Sequence, residues 1–268
     1  MNLTLTIDGV ARRVDSEHPI DLSIPIDPHG PHPRFFCDVP ASAAPLRSGD
    51  FIGRVAEGGA ANAEWIHFLA HCHGTHTECA GHLSPDRESV GETLPNRPWL
   101  ARLVSVTGVE PQDTDERYAL PPVAGETLLT RADLQARCGA DLGDINALVI
   151  RTLPNDASKR ERNYSQQPVY PVLTEAAMQW LAQSRLTHLL IDTPSVDRAQ
   201  DGGRLANHRR WWGFDDQGTI ARPERGITEM IFVPGAVGDG LYLLDLQLAP
   251  FVSDATPSRP LLFPLMTD

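Results

Sequence analysis

Lysine is nearly missing from this 268-residue chain, where Lys159 is the only one. Lys and Arg together number 23 against 35 Asp and Glu, for a formal net charge of −12. Such a balance repels polyanions, so neither nucleic acid nor an anionic membrane surface is expected as a partner. Cysteine is scarce too. Cys37, Cys72, Cys79 and Cys138 follow no framework spacing, and a chain this long buries a core without staples. Reduced thiols in a cytoplasmic setting are therefore expected. No apolar run is long enough to span a bilayer. Met1-Asn2-Leu3-Thr4-Leu5-Thr6 has neither the basic region nor the apolar core of a signal peptide. There is also no Gly-rich phosphate loop after a strand, no nucleophile-elbow serine, no internal repeat and no heptad.

What is abundant is concentrated in one short window. His71-Cys72-His73-Gly74-Thr75-His76-Thr77-Glu78-Cys79-Ala80-Gly81-His82 holds four imidazoles, a carboxylate and two thiols. These are the protein ligands of divalent transition metals. Alternate side chains of an extended segment face the same way. Cys72, His76, Glu78 and His82 share one parity; His71, His73 and Cys79 have the other. A helix would pair only His71 with Thr75 and Glu78 with His82, so an extended path is expected here. A lone histidine is usually a hydrogen-bonded structural residue, but four interleaved with Glu and Cys point to metal binding or proton transfer.

The rest of the chain alternates strands and helices. Leu3 to Val14, broken by Asp8-Gly9, reads as a hairpin within residues 1–16. Residues 41–64 read as irregular connection, and Trp65 to Ala70 as a short apolar run entering the cluster. Strands are expected at Leu100 to Val106, Ala147 to Ile150, His188 to Ile191, Ile231 to Val233 and Leu241 to Leu248. Helices are expected after the N-caps Thr130, through Cys138, and Thr174, through Ser184. Arg198 to Arg225 reads as a long polar segment. Asp192, at a strand end, is equally a site carboxylate or a turn cap. His67 and His188 lie in apolar runs and read as core or near-core. Trp65, Trp211 and Trp212 are candidates to line a pocket, although tryptophans are more often simply packed. The whole reads as one mixed α/β domain spanning 1–268.

Three chemistries compete for the cluster. A divalent cation on N, S and O ligands acidifies water and polarises a carbonyl, with a histidine passing protons. A cupin-type site has its first half in His71-x-His73 and Glu78, but no second half follows. A thiol nucleophile at Cys72 or Cys79 is disfavoured because Glu78 would raise the pKa of its neighbour Cys79.

Gly74-Thr75-His76-x-Glu78-x-x-x-His82 resembles the HxGTHxDxPxH signature of the cyclase-like metal-dependent hydrolase superfamily, which includes bacterial kynurenine formamidase and isatin hydrolase. Asp21-Leu22-Ser23, Asp192-Thr193-Pro194-Ser195-Val196-Asp197 and Pro257-Ser258-Arg259-Pro260 resemble further elements of that family, in order. The resemblance implies a swivelling β/β/α-type fold, a homodimer or homotetramer, and hydrolysis of a C–N bond in a small amide, formamide or lactam. It implies metal ligation by Cys72, His76 and Glu78, with His208 and Glu229 completing the site and His82 as proton shuttle. Zinc is the expected ion, with manganese the alternative. Without the resemblance, His208 would read as a loop histidine against Trp211 or Trp212, and Glu229 as an ordinary charge. Cys72, Glu78 and Ala80 stand where the family has His, Asp and Pro. Those departures keep two other readings open: a ligand-binding relative without metal, and a lactonase or esterase on the same scaffold.

Overall fold

The computed structural model describes residues 3–266. Strands β1 (Leu3–Ile7) and β2 (Val10–Val14) form the expected hairpin; residues 1 and 2 of that stretch lie outside the described residues. Asp8 and Gly9 turn it with φ of 51° and 76°, the left-handed pair that suits a two-residue loop. Then come β3 (Ile20–Asp21), a ribbon of β4 (Ser42–Pro45) with β5 (Glu64–His67), and β6 (His76–Glu78). Next are β7 (Trp99–Thr107), α1 (Arg131–Cys138), β8 (Ala147–Leu153), α2 (Glu175–Gln183) and β9 (His188–Ile191). The chain continues through α3 (Ala206–Trp212), β10 (Gly226–Glu229), β11 (Gly240–Leu248) and β12 (Ala255–Met266). Both expected N-caps are made: the Thr130 and Thr174 hydroxyls accept the Asp133 and Ala177 N–H groups, each at 3.1 Å.

The main sheet runs β1-β2-β12-β11-β7-β8-β9-β10-β6, and β6 pairs again with β12. That second pairing closes β12-β11-β7-β8-β9-β10-β6 into a barrel, with the β1-β2 hairpin left outside the ring. Strands β7, β8, β9 and β10 are mutually parallel; the others join antiparallel. Alternation along the parallel strands sorts side chains into two cores. Ala101, Leu103, Ala147, Val149 and Leu190 point inward with Leu22, Leu244 and Leu262. Val104, Val106, Leu148, Ile150, Leu189 and Ile191 point outward beneath Leu134, Met178, Leu181, Trp211 and Trp212. This is a single mixed α/β domain dominated by its barrel. Among the described residues no helix is long and apolar enough to cross a membrane.

Several local expectations need correction. Ile231 and Val233 are fully buried but not in a strand. The ladder ends at Glu229, because Met230 takes a φ of 52° and turns the chain away. Their apolarity reports burial, which periodicity alone cannot distinguish from strand. The polar segment 198–225 contains α3, and residues 41–64 contain β4 and the start of β5. Strand β12 has no clear strand signature in the sequence, because Pro257, Pro260 and Pro264 interrupt its pattern. Trp65 and Ile66 stand 62% and 56% exposed on β5, and His67 is exposed beside them, neither core nor near-core.

Candidate metal centre

Only part of the window 71–82 is extended. Residues 71–74 form a turn, 76–78 form β6, and Ala80–His82 form a single 3-10 turn. Alternation therefore holds for His76 and Glu78 but fails on either side. The first turn brings His71 into the site despite its sequence parity. Gly74 permits that turn's close approach: a Cβ there would lie 2.8 Å from the Ile24 carbonyl oxygen and from Ile26. Thr75 then locks the segment, its N–H donating to Ile24 O at 3.1 Å and its hydroxyl accepting the Ile24 N–H at 2.7 Å.

Register does the rest. Strand β6 lies between β10 and β12, with His76 opposite Glu229 and Glu78 opposite both Ile227 and Ala255. Both carboxylates and His76 thereby meet at one end of the barrel. His208 arrives from α3, whose first turn is held by Asp197. That carboxylate accepts the Asn207 N–H at 2.8 Å and the His208 N–H at 3.0 Å, and accepts His208 Nδ1–H at 2.6 Å. Asp197 belongs to the Asp-Thr-Pro-Ser-Val-Asp segment, but its orienting role needed the fold to be seen. Asp192, at the start of the same segment, is a structural anchor. It accepts bonds from Lys159 Nζ at 2.8 Å and from the Thr152 amide at 2.9 Å.

At the centre, His208 Nε2 lies 2.9 Å from Glu78 Oε1 and 3.6 Å from Glu229 Oε1. His76 Nε2 lies 3.4 Å from Glu229 Oε2, and His76 Nδ1 donates to Gly74 O at 3.0 Å. His71 Nδ1 is 3.1 Å from Glu78 Oε2, and His82 Nε2 is 4.0 Å from the same oxygen. Despite these short separations, neither Glu78 oxygen nor His76 Nε2 has a hydrogen-bond partner, and all are buried. With the Nδ1 protons of His76 and His208 given to Gly74 and Asp197, their Nε2 lone pairs face carboxylate oxygens. Buried acceptors aimed at one another are costly unless a cation stands between them, and an imidazole pinned through its other nitrogen is the usual posture of a metal ligand.

The ionisation pattern has the same cause. Burial opposes charge on Glu78, but His208 and His82 hold its carboxyl well below the ordinary range. Burial likewise opposes charge on His208, and Glu78 and Asp197 outweigh it, raising its pKa well above the usual imidazole value. For His71 burial is outweighed by Asp254 and Glu78, and the pKa is pushed up to about 10. In the metal-free chain protons thus take the cation's place, and metal uptake must release them.

Among the described residues, three groups of side chains bring ligand atoms within 4.8 Å of one another: His71, His76 and Glu78; Glu78, His82 and His208; and His71, His82 and Asp254. Cys72 and Glu229 are in none of them, although Glu229 lies 3.4 Å from His76 and 3.6 Å from His208; Cys72 has no such contact with the cluster. It lines the same cavity, but burial, with the Cys37 thiol and Glu229 nearby, pushes its own thiol up to about 12, which disfavours the thiolate a metal needs. His71, beside the position where the family's first histidine is replaced by Cys72, joins the site through the turn although its parity is wrong for a regular strand, whereas His73 does not join. Asp254 carries no sequence signal, because nothing in the sequence links residue 254 to residue 78. The cavity beside the cluster encloses about 530 Å³, with Phe35, Phe36, Ala199 and Leu205 on its apolar side and His82, His208 and Glu229 on its polar side. Phe36 and Leu205 sit at φ of 61° and 46°, strain of the kind that persists at binding sites. Trp211 and Trp212 are buried in the outer core, and the Trp212 ring packs against His208, 5.6 Å between centroids.

Sequence and fold comparisons place the chain in a family. The family model described as "Putative cyclase" matches residues 20–198. The chain belongs to the cyclase family. No curated protein matches it in sequence. Isatin hydrolase A from Labrenzia aggregata shares the fold at a TM-score of 0.59 and 16% identity, over 94% of each chain. A potential metal-dependent hydrolase with cyclase activity matches at a TM-score of 0.61 and 18% identity, over 92% of this chain and 97% of that one. A metal-dependent hydrolase from Bacillus stearothermophilus, itself described as predicted, matches at 0.57 and 17%, over 92% and 98%. At these identities the likeness establishes the swivelling β/β/α-type cyclase fold and nothing finer.

Proposed function

We propose that this cyclase-family protein is a metal-dependent hydrolase that cleaves a C–N bond in a small amide, formamide or lactam, with arylformamidase-like chemistry as the default. The observation that carries the reading is the pair His76 and His208, each pinned through Nδ1 and each turning Nε2 toward a buried carboxylate. His76, Glu78, His208 and Glu229 would hold the ion, with His71 rather than Cys72 the further nitrogen ligand. A nitrogen and oxygen donor set suits zinc or manganese, and zinc is proposed first. A bound divalent ion supplies Lewis acidity and lowers the pKa of water.

The chain's own groups do the remaining work. Phe35, Phe36 and Leu205 exclude water and seat the apolar body of the substrate. Glu78, shielded from solvent, keeps its charge beside the reacting carbonyl. His82, partly exposed at the cavity wall, is placed to carry a proton to the leaving nitrogen. The fold's relatives include isatin hydrolase, whose name supports a carbonyl-hydrolysing reading. A homodimer or homotetramer is also proposed, supported by the exposed apolar side chains Trp65, Ile66, Leu69 and Phe251.

The test is metal analysis of protein purified without added ions, followed by turnover assays on aryl formamides, lactams, lactones and esters with and without chelator. Stoichiometric metal and chelator-sensitive amide cleavage are expected. Faster cleavage of lactones or esters would move the substrate class. A metal-free protein indifferent to chelator would overturn the reading.

A further inference from the structure

Asp254 lies just before β12, outside every motif that drew attention to the site. Its backbone is tightly registered. The Asp254 carbonyl accepts the Cys79 N–H at 3.0 Å, the neighbouring Ser253 carbonyl accepts the Val90 N–H at 2.9 Å, and Ala255 pairs across the ladder with Glu78. From that fixed point a single oxygen, Asp254 Oδ2, meets two imidazoles: His71 Nε2 at 2.9 Å and His82 Nδ1 at 3.3 Å. The two rings lie close and tilted, 4.2 Å between centroids and 35° apart in plane. Each therefore turns its other nitrogen toward the same Glu78 oxygen, His71 Nδ1 at 3.1 Å and His82 Nε2 at 4.0 Å.

We propose that Asp254 is a positioning residue whose one carboxylate orients both a metal ligand, His71, and the proton carrier, His82, toward Glu78. This rests on the metal-dependent reading above. Asp254 does not line the cavity, so it touches no substrate and acts only through the two rings. Accepting from His71 Nε2–H leaves Nδ1 as the coordinating atom. Accepting from His82 Nδ1–H leaves the Nε2 lone pair facing the site, where a proton can be taken up and passed on. A carboxylate behind an imidazole is the common device for fixing ring orientation and ligand basicity. Here one carboxylate serves two rings with different tasks.

The test compares wild type with Asp254→Asn and Asp254→Glu. Nitrogen-15 spectra of the histidine rings, taken on metal-free protein, should show neutral His82 as the Nδ1–H tautomer in wild type and in Asp254→Glu, and lose that preference in Asp254→Asn. Zinc affinity, measured by chelator competition, should fall about 10- to 100-fold in Asp254→Asn with unchanged stoichiometry, and recover in Asp254→Glu. The turnover number should drop in Asp254→Asn while KM holds, because the cavity wall is untouched. Unchanged tautomers with zinc affinity within twofold of wild type would overturn the proposal. So would two bound ions falling to one in Asp254→Asn, since Asp254 would then be a ligand itself. If wild type binds no metal, the functional reading fails and the ring spectra alone decide the role of Asp254. Should Asp254→Asn not fold, Asp254→Glu decides: retained ring tautomers support the role, and their loss in a folded protein overturns it.

Discussion

Replacing Glu78 by Gln isolates the charge on which the centre depends. Glu78 is fully buried, faces His208 and His71 within about 3 Å, and has no hydrogen-bond partner on either oxygen. The amide keeps the shape and removes the negative ligand atom. A ligand that binds only the folded chain stabilises it by about 2.7 kcal/mol at 100 times its Kd. Unfolding entropy of about 2.1 cal/mol/K per residue, over 268 residues, comes to about 0.56 kcal/mol/K. Saturating zinc should therefore raise the wild-type Tm by about 5 °C. Glu78→Gln should bind zinc so weakly that the same concentration shifts its Tm by less than about 1 °C. Paired calorimetric scans with and without zinc read this directly. Equal shifts in the two proteins, or none in wild type, would refute the coordination geometry.

Asp197→Asn should leave α3 formed but release His208 from its fixed orientation. Zinc affinity measured by dialysis is expected to fall about 10- to 100-fold. His71 carries a pKa of about 10 in the folded chain, so its ion pairing is fully present below the unfolded imidazole value of about 6.5 and is lost as pH rises through about 10. Asp254, held below the usual carboxylate range by hydrogen bonds from His71 and His82, contributes above about pH 4 and is lost on acidification. Metal-free Tm should accordingly decline from about pH 6.5 toward pH 10, and His71→Gln should flatten that alkaline limb. Zinc affinity should move the opposite way, tightening with pH as the His71 proton leaves. Away from the site, Leu190→Ala in the barrel core should cost about 2–5 kcal/mol in urea unfolding. Thr174→Ala, which removes only the α2 cap, should cost about 1 kcal/mol and leave zinc affinity unchanged.

Much of this protein was legible in residue order because it depends on local chemistry. The hairpin turn at Asp8-Gly9, the caps at Thr130 and Thr174, and the short apolar runs of the buried strands β8 and β9 each follow from interactions a few residues long. His76 and Glu78 were readable for the same reason, since their shared face is a property of one short strand. His208 and Glu229 could be picked out only by resemblance, since neither carries a local signal. Tertiary structure alone decided that His71 turns into the centre while the Cys72 sulfur does not join the ligand groups. It also decided that Asp197 stands behind His208, which takes the packing of α3 against the barrel, and that Asp254 stands behind His71 and His82, which takes the pairing of β6 with β12. Strand pairing across 150 or more residues is set by the closure of the whole barrel, a global constraint that no short stretch of sequence contains.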